Sequence, residues 1–189
     1  MSKSIIRFSQ QKTIKSIDYS KIDKSIDIPK SANDFFINVL KKEENDVFKT
    51  SSIIKLDKNN ESFSQYYRGI LVDGAGYAFH YDNEGIMYYA HGNYEHISNL
   101  DIAPRISGKD AMELFAQYKG FDIKKVSNYS SELIIKVLME KNKRIPHLSF
   151  KVFLNINHPK NTEYGYVDAH TGEIICTESF VFHLTNNAL

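Results

Sequence analysis

The stretch Tyr164-Gly165-Tyr166-Val167-Asp168-Ala169-His170-Thr171-Gly172-Glu173-Ile174 decides the fold. Tyr164–Ala169 alternates like a strand, and Thr171-Gly172 supplies a reversal, since glycine accepts the backbone angles that a tight turn demands. Glu173–Cys176 then reads as the returning strand. Asp168 and Thr171 carry short polar side chains of the kind that bond turn backbone. This region is therefore an antiparallel hairpin.

Working upstream, Leu148, Phe150, Val152, Leu154 and Ile156 share one parity and predict a half-buried strand, with Glu132–Met139 as its neighbour. Before them, Ser107-Gly-Lys-Asp110 has the spacing of a helix cap. Ala111, Leu114, Phe115 and Tyr118 then make one helical face, closed by Gly120. The same order occurs earlier in the chain. Ser31–Asp34 caps a helix whose apolar face is Ala32, Phe36, Val39 and Leu40, and Lys41-Lys42 suits its C-terminal end. Four strands are predicted after it: Val47–Leu56 (Phe48, Ile54 and Leu56 on one parity), Ser62–Val72, Ala75–Tyr81 and Ile86–Ala90. Asp82–Gly85 is the turn between the last two. Two helix-then-meander blocks predict two α+β units, divided near Asn99–Arg105, where Pro104 interrupts. Residues 1–29 are poor in apolar side chains, with a loose Lys-Ser-Ile-Asp repetition, and read as an extended or partly ordered lead-in.

Composition narrows the function classes. Of 189 residues, 42% are hydrophobic and 25% charged, so a packed core is expected rather than disorder. Twenty-four basic residues against 23 acidic ones leave no electrostatic reason to expect nucleic acid or an anionic membrane as partner. A single cysteine, Cys176, excludes an internal disulfide framework and a Cys-rich zinc site. No apolar run approaches membrane-span length.

The first block also carries a family resemblance. Phe63-Ser-Gln-Tyr-Tyr-Arg-Gly-Ile-Leu-Val72, Gly74, His80-Tyr-Asp-Asn-Glu-Gly85 and His91-Gly92 resemble the fungalysin/thermolysin propeptide motif. Leu71 stands where that family usually has proline, and His91 where it usually has asparagine. The Tyr164–Ile174 hairpin is similar to the end of a PepSY domain. The predicted fold is accordingly α+β with two cystatin-like units, each a helix packed across an antiparallel meander. Residues 30–100 are the propeptide-like module, 101–178 the PepSY-like module and 179–189 a junction. The motif residues Gln65, Tyr67, Gly69, Gly85, Gly92, Asp168 and Gly172 are expected to be structural.

The chemistry of catalysis is missing from the sequence. His-Glu-x-x-His, which sets two imidazoles on one zinc with a glutamate as base, does not occur. His91 and His96 flank Glu95, yet no third ligand is in register, and no metal or cofactor is predicted. His80, His147, His158, His170 and His183 are scattered and read as turn or surface residues. Cys176, within Ile-Ile-Cys-Thr, reads as a small packed hydrophobe rather than a switch thiolate. Of Tyr66-Tyr67 and Tyr88-Tyr89, one member of each pair should be core, because neighbours on a strand face opposite ways. The outward members suit a protein interface.

The resemblance implies a non-enzymatic prosegment that inhibits a thermolysin-like zinc metallopeptidase and assists its folding. Its partner would be the cognate protease domain, normally C-terminal in the same precursor. Met1–Gln11 has charge but no apolar core of signal-peptide length. The chain is therefore expected to be an excised segment of a secreted or periplasmic precursor. The segment expected to occupy the protease cleft, and to be processed, is Phe180–Leu189, with cleavage before Phe180, Phe182, Leu184 or Leu189. A stand-alone inhibitor acting in trans and a small-molecule sensor on the same fold are the alternatives.

Overall fold

The computed structural model describes residues 6–9, 13–22, 27–51, 59–126, 128–155 and 163–179. The chain divides into two compact units, Met1–Ser98 and Asn99–Leu189. Both are mixed α+β, mostly antiparallel sheet with one short helical segment each.

The first unit contains β1 (Ile6–Phe8), β2 (Ile14–Asp18), the helical segment α1 (Ala32–Asp34), β3 (Asp46–Thr50), β4 (Asn60–Tyr67), β5 (Ile70–Tyr81) and β6 (Met87–Asn93). They pair in the order β1-β2-β6-β5-β4-β3. Part of the segment read as a lead-in is ordered strand. β2 joins the sheet beside β6, and Ile17 and Tyr19 enter the core. Alternate residues of so polar a segment need only one partner strand to be drawn inside, which composition alone does not reveal.

Ser31 caps α1 by accepting the Asp34 N–H at 3.1 Å. Phe35–Val39 then continues as a π-helical turn, closed by Leu40 N–H donating to Phe35 O at 2.8 Å. Phe35 and Phe36, at i+3 and i+4 from the buried Ala32, both lie on the inward face, and the predicted face omitted Phe35. Phe36 stacks on Phe48 with ring centroids 3.9 Å apart, and Phe35 meets Phe79 edge-on at 5.2 Å. Such aromatic pairs add about 0.5–1.5 kcal/mol each beyond area burial. Lys41 ends the helix at φ +54°, the left-handed region. Lys41→Gly removes that backbone cost, and unit 1 should gain about 0.5–1 kcal/mol in urea denaturation.

The meander is divided differently from the sequence reading. Ser62–Val72 is not one strand, because the chain reverses at Arg68-Gly69, with φ +46° and +87° and Tyr67 paired to Ile70. Both central residues therefore sit where a two-residue hairpin turn requires positive φ. Arginine is an uncommon first residue there, and this hid the turn. Ile70–Tyr81 is then one long strand. β3 stops at Thr50, and Ile54 and Leu56 lie outside the described residues.

The second unit comprises α2 (Gly108–Tyr118), β7 (Asn128–Glu140), β8 (Lys143–Asn155), β9 (Glu163–Asp168) and β10 (Ile174–Ser179), the strands pairing in that order. The Ser107–Asp110 capping box is complete. Ala111, Phe115 and Ala116 are buried, but Tyr118 is 63% exposed and leaves the predicted face. A short sheet-facing stripe is enough for an eleven-residue helix, and Tyr118 is its last residue. β7 and β8 form a hairpin longer than the two predicted strands, turning at Lys141-Asn142 with both φ positive. Leu148, Phe150, Val152 and Leu154 are all buried. Phe115 lies over Gly165, where a Cβ would sit 2.4 Å from its ring. Ile156 lies outside the described residues.

Candidate functional site

In unit 1 the motif residues surround a buried polar lock. Gln65 on β4 is fully buried. Its Nε2 donates to Asp46 Oδ1 at 3.1 Å and to Glu95 O at 2.8 Å, while its Oε1 accepts the Glu95 N–H at 3.0 Å. Tyr94 donates to the other Asp46 oxygen at 2.5 Å and accepts the Glu43 N–H at 3.0 Å. One side chain thus ties the start of β3 to the segment after β6. Burial pushes the Asp46 carboxyl up, against the opposing bonds from Tyr94 and Gln65. Burial also raises Tyr94 well above the usual phenol range, reinforced by its bond to Asp46.

The other motif residues hold the meander. Tyr67 is buried, with the Arg68 guanidinium 5.3 Å from its ring centroid. Gly69 completes the β4–β5 turn. Gly85 closes the β5–β6 turn, donating to Asp82 O, while Asp82 Oδ1 accepts from the amides of Glu84 and Ile86, each at 2.9 Å. Gly92 packs against the backbone of Gly76 and Tyr77.

His91 and His96 do not share a site. His91 stacks on His80 with centroids 5.3 Å apart, and burial together with His80 lowers its proton affinity. His96 instead packs edge-on against Tyr94 and lies 3.2 Å from Glu43 Oε1. Among the described residues, no group of three or more His, Cys, Asp or Glu side chains is placed to hold a metal ion. Tyr66 faces away from the core side of Tyr67 and receives Lys49 Nζ over its ring at 4.4 Å. Tyr88 is exposed and Tyr89 half-buried, so neither is core, contrary to the alternation argument. The outer face of β6 carries Tyr89 against His80 and His91, while Met87 and Ala90 fill the inside.

In unit 2, Asp168 organises the β9–β10 turn. Its Oδ1 accepts from the His170 and Thr171 amides, each at 2.8 Å, and Gly172 N–H donates to Asp168 O at 2.9 Å. Thr171 Oγ1 accepts the Glu173 amide at 3.2 Å. Burial tends to raise the Asp168 carboxyl, but the Thr171 and His170 amides outweigh it and hold the carboxyl below 3.8. Asp168 therefore stabilises the fold fully above that value, and its contribution is lost as pH falls through the lowered folded value. Asp168→Ala orphans two amides, and hydrogen exchange in β9–β10 should show a loss of about 2 kcal/mol at neutral pH. Cys176 is half-buried on β10. Phe180, Phe182, Leu184 and Leu189 lie outside the described residues.

Two sets of residues escaped the sequence reading. The partners of Gln65 are far away in sequence, and nothing local marks Asp46 or Tyr94 as buried polar groups. His147, read as a scattered surface residue, lies 2.7 Å from Glu140 and 3.7 Å from Asp168. Its signal was the register, which sets residue 147 across from Lys136 and two residues before Ser149, the partner of Asp168.

No protein-family model and no curated protein matches the sequence. Among solved structures, the chain is similar to the Bacillus megaterium YpeB C-terminal domain at 15% identity and a TM-score of 0.39. The alignment covers 80% of this chain and 62% of that one, so the chain spans less than two thirds of its neighbour's length. A likeness at this level carries no argument about activity or partners.

Proposed function

We propose that the chain is the inhibitory and folding-assisting prosegment of a secreted thermolysin-like zinc metallopeptidase. In this reading two cystatin-like units bind the protease domain in cis and are removed on maturation. The observation that carries it is the position of the resembling residues. Gln65, Tyr67, Gly69, Gly85 and Gly92 hold one meander, and Asp168 and Gly172 hold a hairpin in the other unit. The shared sequence features thus serve a scaffold and not a reaction centre. A scaffold with edge strands suits strand-and-surface recognition of a partner. β10 pairs with β9 alone among the described strands, and residues 180–189 follow directly from it.

The test is titration of the full chain against a thermolysin-like catalytic domain from the same source, using a peptide substrate with a large apolar residue after the scissile bond. Saturable inhibition is expected, weakened at least about tenfold when residues 180–189 are deleted, a loss of about 1.4 kcal/mol. Absence of both inhibition and assisted refolding of the protease overturns the prosegment reading. Inhibition unchanged by the deletion overturns the tail-in-cleft part alone.

A further inference from the structure

In unit 2, α2 has a second face besides the stripe it buries on the sheet. Lys109, Met112 and Glu113 stand three and four residues apart, so they line up along one side of the helix. Beyond α2 the chain folds back, with Phe121 N–H donating to Ala116 O at 2.8 Å. That return sets the short helical turn Ile123–Lys125 against α2. Ile123 and Lys124 of the turn and Tyr129 near the start of β7 complete the lining of a groove of about 340 Å³. A groove of this size is within the range of small-ligand sites. It has an apolar floor and a charged rim. Met112 and Ile123 are half-buried, Tyr129 offers an exposed ring, and Lys109, Glu113 and Lys124 are exposed. Lys109 lies 3.6 Å from Glu113. The Lys124 ammonium makes no ion pair or hydrogen bond among the described residues, and only its amide is engaged, donating to Asp122 Oδ1 at 3.0 Å. Asp110, next to Lys109 in sequence, is committed to the helix cap.

We infer that this groove binds a small monocarboxylate with an apolar tail, its head group on Lys124 and its tail over Met112, Ile123 and Tyr129. The charge decides the class of ligand. Two cations against one anion leave the rim a single positive charge in excess, which one carboxylate balances. A nucleic-acid backbone would need several cations along its phosphates, and the lining has no such row. The floor decides the tail. Methionine is unbranched and polarizable, so it adapts to an apolar guest, and the Tyr129 ring adds a flat apolar wall. An ammonium beside such a wall also attracts an anion more strongly than one surrounded by water, because the local dielectric is lower. All the lining residues belong to unit 2. The site is independent of whether the chain is a prosegment.

The test is titration of the full chain with sodium octanoate at low ionic strength, read by calorimetry and by NMR of the Met112 and Ile123 methyl groups. Saturable binding with a Kd below about 1 mM is expected. The largest shift changes should fall on those two methyls and the Tyr129 ring. Lys124→Glu should weaken binding at least about fivefold, whereas Lys124→Arg should keep it. Octanol, which has the tail without the charge, should bind at least about fivefold more weakly than octanoate. Acetate, which has the charge without the tail, should not saturate the site in the same range. The Lys124 side chain has no partner to lose, so both variants should melt like the wild type, and the melt reports whether they are folded. A Kd for octanoate above about 1 mM overturns the proposal. So do shift changes centred elsewhere, equal binding of octanol, or an octanoate affinity unchanged in folded Lys124→Glu.

Discussion

Gly92→Ala should destabilise unit 1 by about 3 kcal/mol or more, the upper range for overpacking a well-filled site. A Cβ at residue 92 would lie 2.1 Å from Gly76 O and 2.7 Å from both Cα and Cγ of Tyr77. Two of these atoms are backbone in the neighbouring strand, so no rotamer change relieves the clash. Gly76, one residue before the partner of Gly92, is as constrained, since a Cβ there would sit 2.0 Å from Phe63 O. β4, β5 and β6 therefore approach one another over a pair of missing side chains. Tyr77, directly opposite Gly92, is the ring that would be pushed, and it is in contact with Phe35, Phe36 and Phe48. Gly69→Ala separates this mechanism from a general intolerance of alanine. Nothing lies within 4 Å of a Cβ there, so only the positive φ of +87° is penalised, at about 1–2 kcal/mol. Urea denaturation of the two variants, with unit 1 amides followed by exchange, should rank them in that order. Equal losses would show that the close approach at Gly92 relaxes freely.

Gln65→Leu should cost unit 1 about 3–4 kcal/mol although it preserves side-chain size. Leucine leaves the Glu95 amide, the Glu95 carbonyl and one Asp46 oxygen without the partner each now has. A buried polar group left unsatisfied costs about 1–3 kcal/mol. Gln65→Glu makes the chemistry visible through pH. Asp46 is already raised by burial, so its neutral form is favoured more in the folded than in the unfolded chain. The sign follows from linkage: stability is greatest below the ordinary value of 3.8 and is lost as pH rises from there through the raised folded value. A second carboxyl against Asp46 deepens that loss. Gln65→Glu should therefore approach wild-type stability in acid and fall well below it at neutral pH. Gln65→Leu should show a deficit at both, larger at neutral pH because Asp46 loses a donor that favours its charged form. A pH-independent deficit for Gln65→Glu would mean that Asp46 is not the group that titrates.

Much of the architecture was legible locally. Ser31 and Ser107 each cap the amide of an aspartate three residues on, and Asp168-Ala-His-Thr-Gly172 forms the turn its side chains suggest. The alternation at Leu148–Leu154 marked a buried strand because every second residue there is apolar. Other features were hidden for physical reasons. The Arg68-Gly69 reversal uses a residue that turn statistics do not favour. β2 was invisible because its burial comes from a neighbour more than 70 residues away in sequence, as in Ile17 opposite Ala90.

The candidate sites divide along the same line. Turn chemistry is local, so Asp168, Gly85 and Gly172 could be read as structural from the residues beside them, whereas Gly69 was singled out by its motif alone. Gln65 could be singled out by its motif but not by its partners, because a hydrogen bond to residues 19 and 30 positions away exists only once β3 and the segment after β6 are brought to β4. The surroundings of His147 are wholly tertiary. Glu140 and Asp168 lie on β7 and β9, and the pairing of both strands with β8 brings them to it. By itself the sequence determined the mixed α+β class and the turns at Asp82–Gly85 and Asp168–Gly172, since both follow from interactions within a few residues. Which polar groups are buried, which glycines cannot be replaced and where the histidines meet their acids was decided by tertiary structure, because burial and charge proximity belong to the packed chain.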